Sequence, residues 1–329
     1  MKVVSTSALP IDLAAQLAAA LPGVDVHVPA AGHVGLGEIR DVLADADALI
    51  CLLLDQIDAQ VLARAPRLRV VANCAVGFDN IDVPAATAAG VAVTNTPDVL
   101  TEATAELAFA LLLACARRLG EGERLVRSGA WGGWALDQLI GVGLLGKTLG
   151  IVGYGRIGQA MARRAVGFGM RVIYADPGDR APVPSATGPR VVGLDELFAT
   201  ADAVSLHCPA TPGTFHLVDP RRLASMKPTA ILVNTSRGSC VDEGALALAL
   251  RDRRIFAAGL DVYAREPAID PRLLDCPGLV LAPHLGSATA EARTAMAQLC
   301  ADAVISVLRG QRPANLVNTQ LAQPWNPRS

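Results

Sequence analysis

The chain has 329 residues, 52% of them hydrophobic and 18% charged, and a formal net charge of −2 at pH 7. This length suits two domains, because a single hydrophobic core rarely organises more than roughly 250–300 residues. The scattered charge excludes the clustered basic face of a nucleic-acid-binding or membrane-surface protein. The sequence has no apolar run as long as a membrane span and no signal-peptide pattern, so we expect a cytoplasmic protein.

The seven cysteines are odd in number and scattered, with no C-x-x-C pair. This pattern argues against a disulfide framework or a zinc site, and no metal is expected. Most of the cysteines are predicted to be small buried hydrophobic residues.

Strand-like and helix-like segments alternate along the chain. Strands are predicted at KVVST (2–6), VDVHV (24–28), ADALICLLL (46–54) and RLRVVANC (67–74), with helices at 12–21 and 38–46. After Lys147 a second series runs through TLGIVG, RVIYAD, DAVSLH, TAILVN, FAAGLDV and GLVLAP, with helices at 195–201 and 242–252. This rhythm predicts an α/β protein with two parallel sheets.

Two long helices, Thr101 to Arg118 and Ser287 to Leu308, divide the two series. Thr and Glu begin the first helix and two arginines end it, as the helix dipole favours, while Ser287 or Thr289 can cap the second. We interpret both helices as connectors. The predicted domains are a discontinuous substrate-binding domain, 1–98 with 286–329, and a dinucleotide-binding domain, 99–285.

A glycine motif opens the second series. In LGIVGYGRIGQA (149–160), Gly153, Gly155 and Gly158 have the G-x-G-x-x-G spacing between a strand and a helix, and Asp176 ends the next strand. The glycines allow a tight turn, a close approach of pyrophosphate and helix–strand packing, and the carboxylate accepts hydrogen bonds from ribose hydroxyls. This context predicts dinucleotide binding.

The neighbouring GVGLLGKT (141–148) matches the phosphate-loop pattern of nucleoside triphosphatases letter for letter. A true phosphate loop opens a helix, whereas here the lysine and threonine lead into the strand LGIVG. We therefore interpret the match as accidental.

Three residues of complementary chemistry follow predicted strands: Arg237, Glu266 and His284. Singly, each has an ordinary explanation, as a surface arginine, a solvated turn and a core or capping histidine. Together, at the carboxyl ends of strands in a dinucleotide-binding sheet, they indicate catalysis. An arginine can bind a carboxylate through two parallel hydrogen bonds. A histidine supported by a glutamate can supply the proton that a ketone oxygen takes up when hydride is added to its carbon.

The chain also resembles the D-isomer-specific 2-hydroxyacid dehydrogenases over nearly its whole length. The matching motifs are GYGRIGQA (153–160), LHCPATPGTFHLV (206–218), VNTSRGSCVDEGAL (233–246), GLDVYAREP (259–267) and APHLGSAT (282–289). The resemblance implies two Rossmann-like or flavodoxin-like domains with the active site in the cleft between them. It assigns Arg237 to substrate binding, Glu266 to orienting the histidine, and His284 to acid/base catalysis.

The same resemblance implies further site residues. AVGFDNID (75–82) is similar to a carboxylate-binding loop in which the amides of Val76 and Gly77 face the substrate, and Leu53 matches a pocket-lining position. Besides the glycine motif and Asp176, the positions that match cofactor contacts are Thr104, Arg156, Ile157, Pro209, Thr214, Thr235, Asp261 and Gly286. The family is generally dimeric.

Within the family, the chain is most similar to glyoxylate/hydroxypyruvate reductases. Their tryptophan-bearing loop can cap the partner subunit's pocket, which makes Trp131 and Trp134 candidates, although dimer packing explains them equally well. Many members of that branch use NADPH. Here Asp176 and Asp179 would repel a 2′-phosphate, while Arg180 could offset part of the repulsion, so NAD(H) is favoured and NADP(H) remains possible.

Two alternatives share this fold. An NAD(H)-sensing, non-enzymatic protein such as the C-terminal-binding-protein corepressors also keeps the Arg, Glu and His. A D-2-hydroxyacid dehydrogenase for bulkier keto acids is equally compatible with the three residues. Formate dehydrogenases have glutamine in place of the glutamate, so Glu266 argues against them.

Overall fold

The computed structural model describes residues 1–176 and 188–321. The chain divides into two compact units, an outer unit formed by Met1–Leu100 with Ala288–Ser329, and a central unit formed by Thr101–Ser287. The domain boundaries expected after residues 98 and 285 lie two residues before Leu100 and Ser287.

The outer unit contains a five-stranded parallel sheet in the order β2-β1-β3-β4-β5, which is the flavodoxin-like strand order. Its strands are β1 (Lys2–Ser5), β2 (Asp25–His27), β3 (Ala48–Cys51), β4 (Val70–Asn73) and β5 (Ala92–Thr94). Its helices are α1 (Leu13–Ala20), α2 (Arg40–Leu43), α3 (Ala59–Arg64), α4 (Val83–Ala88) and α12 (Ala290–Leu308).

Both faces of this sheet are covered by apolar side chains, as parallel strands require. On one face Val3 and Ile50 pack with Leu17 of α1 and Val304 of α12, and a second cluster fills the opposite face. Side-chain caps begin the covering helices, since Asp12, Asp58 and Asp82 each accept a hydrogen bond from an amide of the first turn.

The central unit contains a seven-stranded parallel sheet in the order β12-β11-β10-β9-β6-β7-β8. Its strands are β6 (Thr148–Val152), β7 (Arg171–Ala175), β8 (Arg190–Val191), β9 (Ala203–Leu206), β10 (Ile231–Asn234), β11 (Ala257–Leu260) and β12 (Leu279–Leu281). Its helices are α5 (Thr101–Ala116), α6 (Leu119–Arg127), α7 (Arg156–Gly167), α8 (Leu194–Thr200), α9 (Pro220–Ser225), α10 (Glu243–Arg251) and α11 (Pro271–Leu274). The strand order reverses between β6 and β9, which is where a doubly wound sheet opens a ligand crevice.

These two sheets confirm the predicted α/β class, with differences at several boundaries. The helix expected over 101–118 ends at Ala116, because Arg118 adopts a left-handed conformation with φ 52°, and α6 begins at Leu119. The last helix begins at Ala290, with the Thr289 hydroxyl accepting from the Ala292 amide, so Thr289 is its cap and Ser287 is not. The short strands β5 and β8 had not been anticipated.

The prediction for the cysteines is confirmed, since six of the seven are buried and Cys74 is half-buried. Lys147 immediately precedes β6, and Thr148 is its first residue, so GVGLLGKT leads into a strand and does not open a helix as a phosphate loop does. Across residues 1–176 and 188–321, none of the helices combines the length and the apolar character needed to cross a bilayer.

Candidate active site

The glycine motif lies at the point where the strand order of the central sheet reverses. Gly153 follows β6 with φ +91°, a conformation that side-chain-bearing residues rarely adopt. A Cβ atom on Gly153 would lie 2.7 Å from the carbonyl carbon of His207, which follows β9. The two strand ends therefore approach each other closely enough that only glycine fits between them.

Helix α7 begins at Arg156, with Gly155 as its N-cap and Ile157 in its first turn. A Cβ atom on Gly158 would lie 2.2 Å from the Gly153 carbonyl oxygen, so its absence lets the helix pack directly on the turn. The backbone amides at a helix N-terminus form an anion site, and the start of α7 is therefore suited to pyrophosphate.

Asp176 follows β7, the neighbour of β6 in the sheet, as expected for a residue that contacts ribose. Asp179 and Arg180, which also entered the cofactor prediction, lie outside the described residues.

Several other predicted cofactor residues lie in the loops that follow β9 and β10. The Thr214 hydroxyl donates to the Pro209 carbonyl at 2.7 Å and accepts from the Thr211 amide at 2.8 Å, which fixes the loop after β9. The Thr235 hydroxyl is buried and has no hydrogen-bond partner among the described residues. A buried orphan hydroxyl costs free energy unless a ligand satisfies it, so these loops fit a bound dinucleotide.

Arg237 follows β10 on a turn organised by Asn234. The Asn234 side chain donates to the Arg237 carbonyl at 2.9 Å and accepts from the Ser236 amide at 3.0 Å. At Gly238, a Cβ atom would lie 1.9 Å from the carbonyl carbon of Tyr263, so the arginine turn packs directly against the loop that carries Glu266.

Glu266 and His284 form a hydrogen-bonded pair. His284 Nδ1 lies 2.7 Å from Glu266 Oε2, and Glu266 Oε1 accepts from the Tyr263 amide at 2.9 Å. Burial by itself would raise the pKa of Glu266, but the bonds from His284 and Tyr263 and the nearby charge of Arg237 outweigh it and lower the pKa. The ionised carboxylate therefore accepts a hydrogen bond from the Nδ1–H of His284, which leaves Nε2 of the imidazole for acid/base chemistry.

His284 has a left-handed backbone, with φ 54°, and Asp261 holds it in that conformation. The His284 amide donates to the Asp261 carbonyl at 2.9 Å, while Leu285 and Gly286 donate to the two Asp261 carboxylate oxygens at 2.6 Å and 2.8 Å. Burial raises the pKa of Asp261 even though these amides oppose the shift. Thr104 joins the same turn by donating to the Gly286 carbonyl at 3.1 Å.

Sequence reasoning missed two features of this turn. Asp261 was assigned only to the cofactor, although its position directly after β11 places it beside the turn that follows β12. Tyr263 was not singled out, yet its hydroxyl donates to the Ala282 carbonyl at 2.8 Å, two residues before the histidine. Nothing in its spacing marks that contact.

The structure thus brings Arg237, Glu266 and His284 together in the central unit. The remaining candidates lie elsewhere. Leu53 follows β3 in the outer unit, where Val76 and Gly77 follow β4. The tryptophans lie between α6 and β6 and are largely exposed, Trp131 at 51% and Trp134 at 80%.

Comparison with known proteins gives consistent matches. Residues 109–286 match the family model described as the NAD-binding domain of D-isomer-specific 2-hydroxyacid dehydrogenases. A glyoxylate reductase from Thermococcus litoralis is 49% identical over 286 residues, which cover 86% of each chain. These matches confirm the resemblance inferred from the motifs.

Solved structures agree with the sequence matches. The TT0316 protein from Thermus thermophilus is 44% identical with a TM-score of 0.89, covering 96% of this chain and 100% of that one. An NADPH-dependent glyoxylate/hydroxypyruvate reductase from Sinorhizobium meliloti is 31% identical with a TM-score of 0.81, covering 96% and 97%.

Proposed function

Because the chain belongs to the D-isomer-specific 2-hydroxyacid dehydrogenase family, we propose that it reduces a small 2-keto acid of the glyoxylate or hydroxypyruvate type. The product is the 2-hydroxy acid, of D configuration where it is chiral. As a member of this family the protein is an NAD(P)-dependent oxidoreductase.

The contact between His284 and Glu266 is the observation that carries the proposal. A bound nicotinamide dinucleotide supplies the hydride. With Nδ1 engaged at 2.7 Å by Glu266, the imidazolium donates its Nε2 proton to the carbonyl oxygen of the keto acid as that oxygen becomes an alkoxide. In the reverse direction the neutral imidazole accepts the proton.

Arg237 and the candidates of the outer unit bind the acid. Arg237 provides a planar, permanently charged donor pair that suits the adjacent keto and carboxylate oxygens of a 2-keto acid. We assign the carboxylate itself to the backbone amides of Val76 and Gly77, with Leu53 lining the pocket. A small acid is favoured because relatives with about half of their aligned residues identical to this chain are glyoxylate reductases.

Initial rates of NADH and NADPH oxidation test the proposal, measured with glyoxylate, hydroxypyruvate, pyruvate and phenylpyruvate in parallel. Fast turnover with either of the first two acids is the expected result. A preference for phenylpyruvate would show that the substrates are bulkier keto acids and not the small acids proposed here. Cofactor binding without turnover of any acid would favour the NAD(H)-sensing protein instead.

We propose NADH as the preferred cofactor because of Asp176. At about 4 Å and an effective dielectric near 20, its carboxylate and a 2′-phosphate would repel by roughly 4 kcal/mol per unit charge pair. The Sinorhizobium relative is NADPH-dependent, so the preference of this chain depends on its own residues. Asp176→Ala is expected to narrow the ratio of kcat/KM for NADH over NADPH by at least about tenfold. An unchanged ratio would remove Asp176 from cofactor selection.

We also propose a homodimer, because the central unit exposes many large apolar side chains in α6 and in the segment between α6 and β6. Exposed apolar side chains in such numbers favour a protein–protein interface. They are Leu119, Val126, Trp131, Trp134, Leu136, Ile140 and Leu145. Light scattering should give twice the chain mass of 34.1 kDa, and a monomer at micromolar concentration would contradict the proposal.

A further inference from the structure

The loop Ala75–Phe78, here called the carboxylate loop, is held by side-chain carboxamides. Asn95 Nδ2 donates to the Val76 carbonyl at 2.8 Å, and Asn73 Nδ2 donates to the Gly77 carbonyl at 2.8 Å. The two asparagines reach the loop together because β4 and β5 pair in parallel, so that residues 73 and 95 lie one position beyond the paired Ala72 and Thr94.

These bonds decide where the amides of the loop point. In a trans peptide the carbonyl of one residue and the N–H of the next point in opposite directions. The Ala75 carbonyl accepts from the Thr96 amide at 2.9 Å, which directs the Val76 N–H the other way. By the same geometry, the bond from Asn95 to the Val76 carbonyl directs the Gly77 N–H away from the asparagine. Successive amides turned to one side form an anion-binding concavity.

Asn73 is itself fixed by a second buried carboxamide. Asn73 and Asn80 exchange hydrogen bonds reciprocally, each Nδ2 lying 3.3 Å from the partner's Oδ1. Asn80 Nδ2 also lies 3.1 Å from the Leu52 carbonyl and 2.9 Å from the Asp55 carbonyl. The pair therefore ties the carboxylate loop to the segment after β3 that contains the predicted pocket residue.

Burying such groups is costly unless their hydrogen bonds are made. Asn73 is fully buried at the end of β4, and Asn80 is only 6% exposed. An apolar pair would fill this space without that cost, but it would leave the loop carbonyls unsatisfied and free to rotate. The carboxamides therefore cost more to bury than an apolar pair, but their hydrogen bonds fix the geometry of the loop.

We propose that Asn73, Asn80 and Asn95 are positioning residues, which orient the amides of the carboxylate loop toward the substrate carboxylate. None of them touches the substrate in this scheme. The inference rests on the proposed function, because it takes the anion to be the carboxylate of a 2-keto acid.

Asn95→Ala and Asn80→Ala test the inference, with Asn318→Ala as the matched control. Asn318 is a buried carboxamide of the outer unit, like Asn80. It accepts from the Val93 amide at 2.9 Å and donates to Thr87 at 3.0 Å and to the Val91 carbonyl at 2.9 Å, and none of these three bonds reaches the carboxylate loop. Steady-state KM for glyoxylate, kcat, the Kd for NADH and the melting temperature are measured for all three.

The two loop variants should raise KM for glyoxylate by about tenfold or more while kcat and the Kd for NADH stay within about twofold, the pattern of lost ground-state binding. Asn95→Ser, which restores a donor, should recover part of the KM. Asn318→Ala should lower the melting temperature without this change in KM. If KM is unchanged in both loop variants, or rises equally in Asn318→Ala, the inference fails.

The wild-type chain separates this failure from that of the proposed function. Turnover by the wild type with normal KM in the loop variants overturns only the positioning role. If the wild type turns over no acid, the positioning role is tested by amide hydrogen exchange. The Thr96 amide, which donates to the Ala75 carbonyl, should exchange faster in Asn95→Ala than in Asn318→Ala. Equal exchange rates overturn the positioning role, and faster exchange supports it without the enzymatic proposal.

Discussion

The two units use different kinds of functional group. In the central unit the groups that carry the chemistry are side chains, since the Tyr263 amide fixes the Glu266 carboxylate and Asp261 holds the left-handed turn that carries His284. In the outer unit the groups that we assign to the substrate are backbone amides, and Asn73 and Asn95 orient them by binding the carbonyls of the carboxylate loop.

The two units should therefore respond differently to substitution. Where a side chain carries the chemistry, replacing that side chain removes the function directly. Where a backbone amide binds the substrate, replacing the side chain of the same residue leaves the amide in place. Substrate binding should then be more sensitive to substitution of the residues that orient the amide.

The largest effect is expected at His284→Gln. Glutamine keeps a polar side chain but cannot deliver a proton, so kcat should fall by about 10²–10⁴-fold while the Kd for NADH is unchanged. His27→Gln is the matched control, because His27 also pairs with a carboxylate, Asp25, at 3.0 Å but lies on the exposed β2. Normal turnover in His284→Gln would contradict the acid/base assignment.

A smaller loss is expected at Arg237→Lys. Lysine keeps the charge but loses the planar donor pair, so kcat/KM should fall by about 10–100-fold with little change in NADH binding. Arg221→Lys is the control, because Arg221 makes a comparable two-pronged contact with Asp195, at 3.0 Å and 2.9 Å, on the surface. Equal effects in the two variants would show that geometry at Arg237 is unimportant.

The contrast between the units also explains what the sequence reveals. Arg237, Glu266 and His284 could be predicted because each follows an apolar strand and because charged side chains in such positions are rare without a role. The helix break at Arg118 and the left-handed turn at His284 could not, since neither position has glycine to signal a positive φ. β8 spans only two residues, too few for a periodic pattern to show.

The outer unit's site was accessible only through family resemblance. Every residue except proline has a backbone N–H, so the sequence AVGFDNID does not show that the amides of this loop differ from those of any other loop. The link between Asn73 and Asn95 depends on the pairing of β4 with β5, and β5 was not anticipated. The reciprocal contact of Asn73 with Asn80 depends on the turn between them, which the sequence does not specify.

Glu266→Gln should produce a pH-dependent change in stability. The pKa of Glu266 is lowered below its ordinary value of 4.5, so the ionised carboxylate stabilises the fold above that value, and the stabilisation disappears as pH falls through the lowered pKa. The difference in unfolding free energy between wild type and Glu266→Gln should be present near pH 6 and shrink below about pH 4.5. Urea unfolding across this range measures it, and a difference that grows on acidification would contradict the sign.

The smallest effect is expected at Val76→Ala. This substitution keeps the amide that we assign to the substrate carboxylate and keeps its carbonyl, which accepts from Asn95 at 2.8 Å. Because Val76 is only half-buried, the shorter side chain should cost little stability. KM for glyoxylate should rise by no more than about threefold, well below the change in Asn95→Ala. A larger rise in Val76→Ala than in Asn95→Ala would mean that the valine side chain binds the acid, and the two units would then work in the same way.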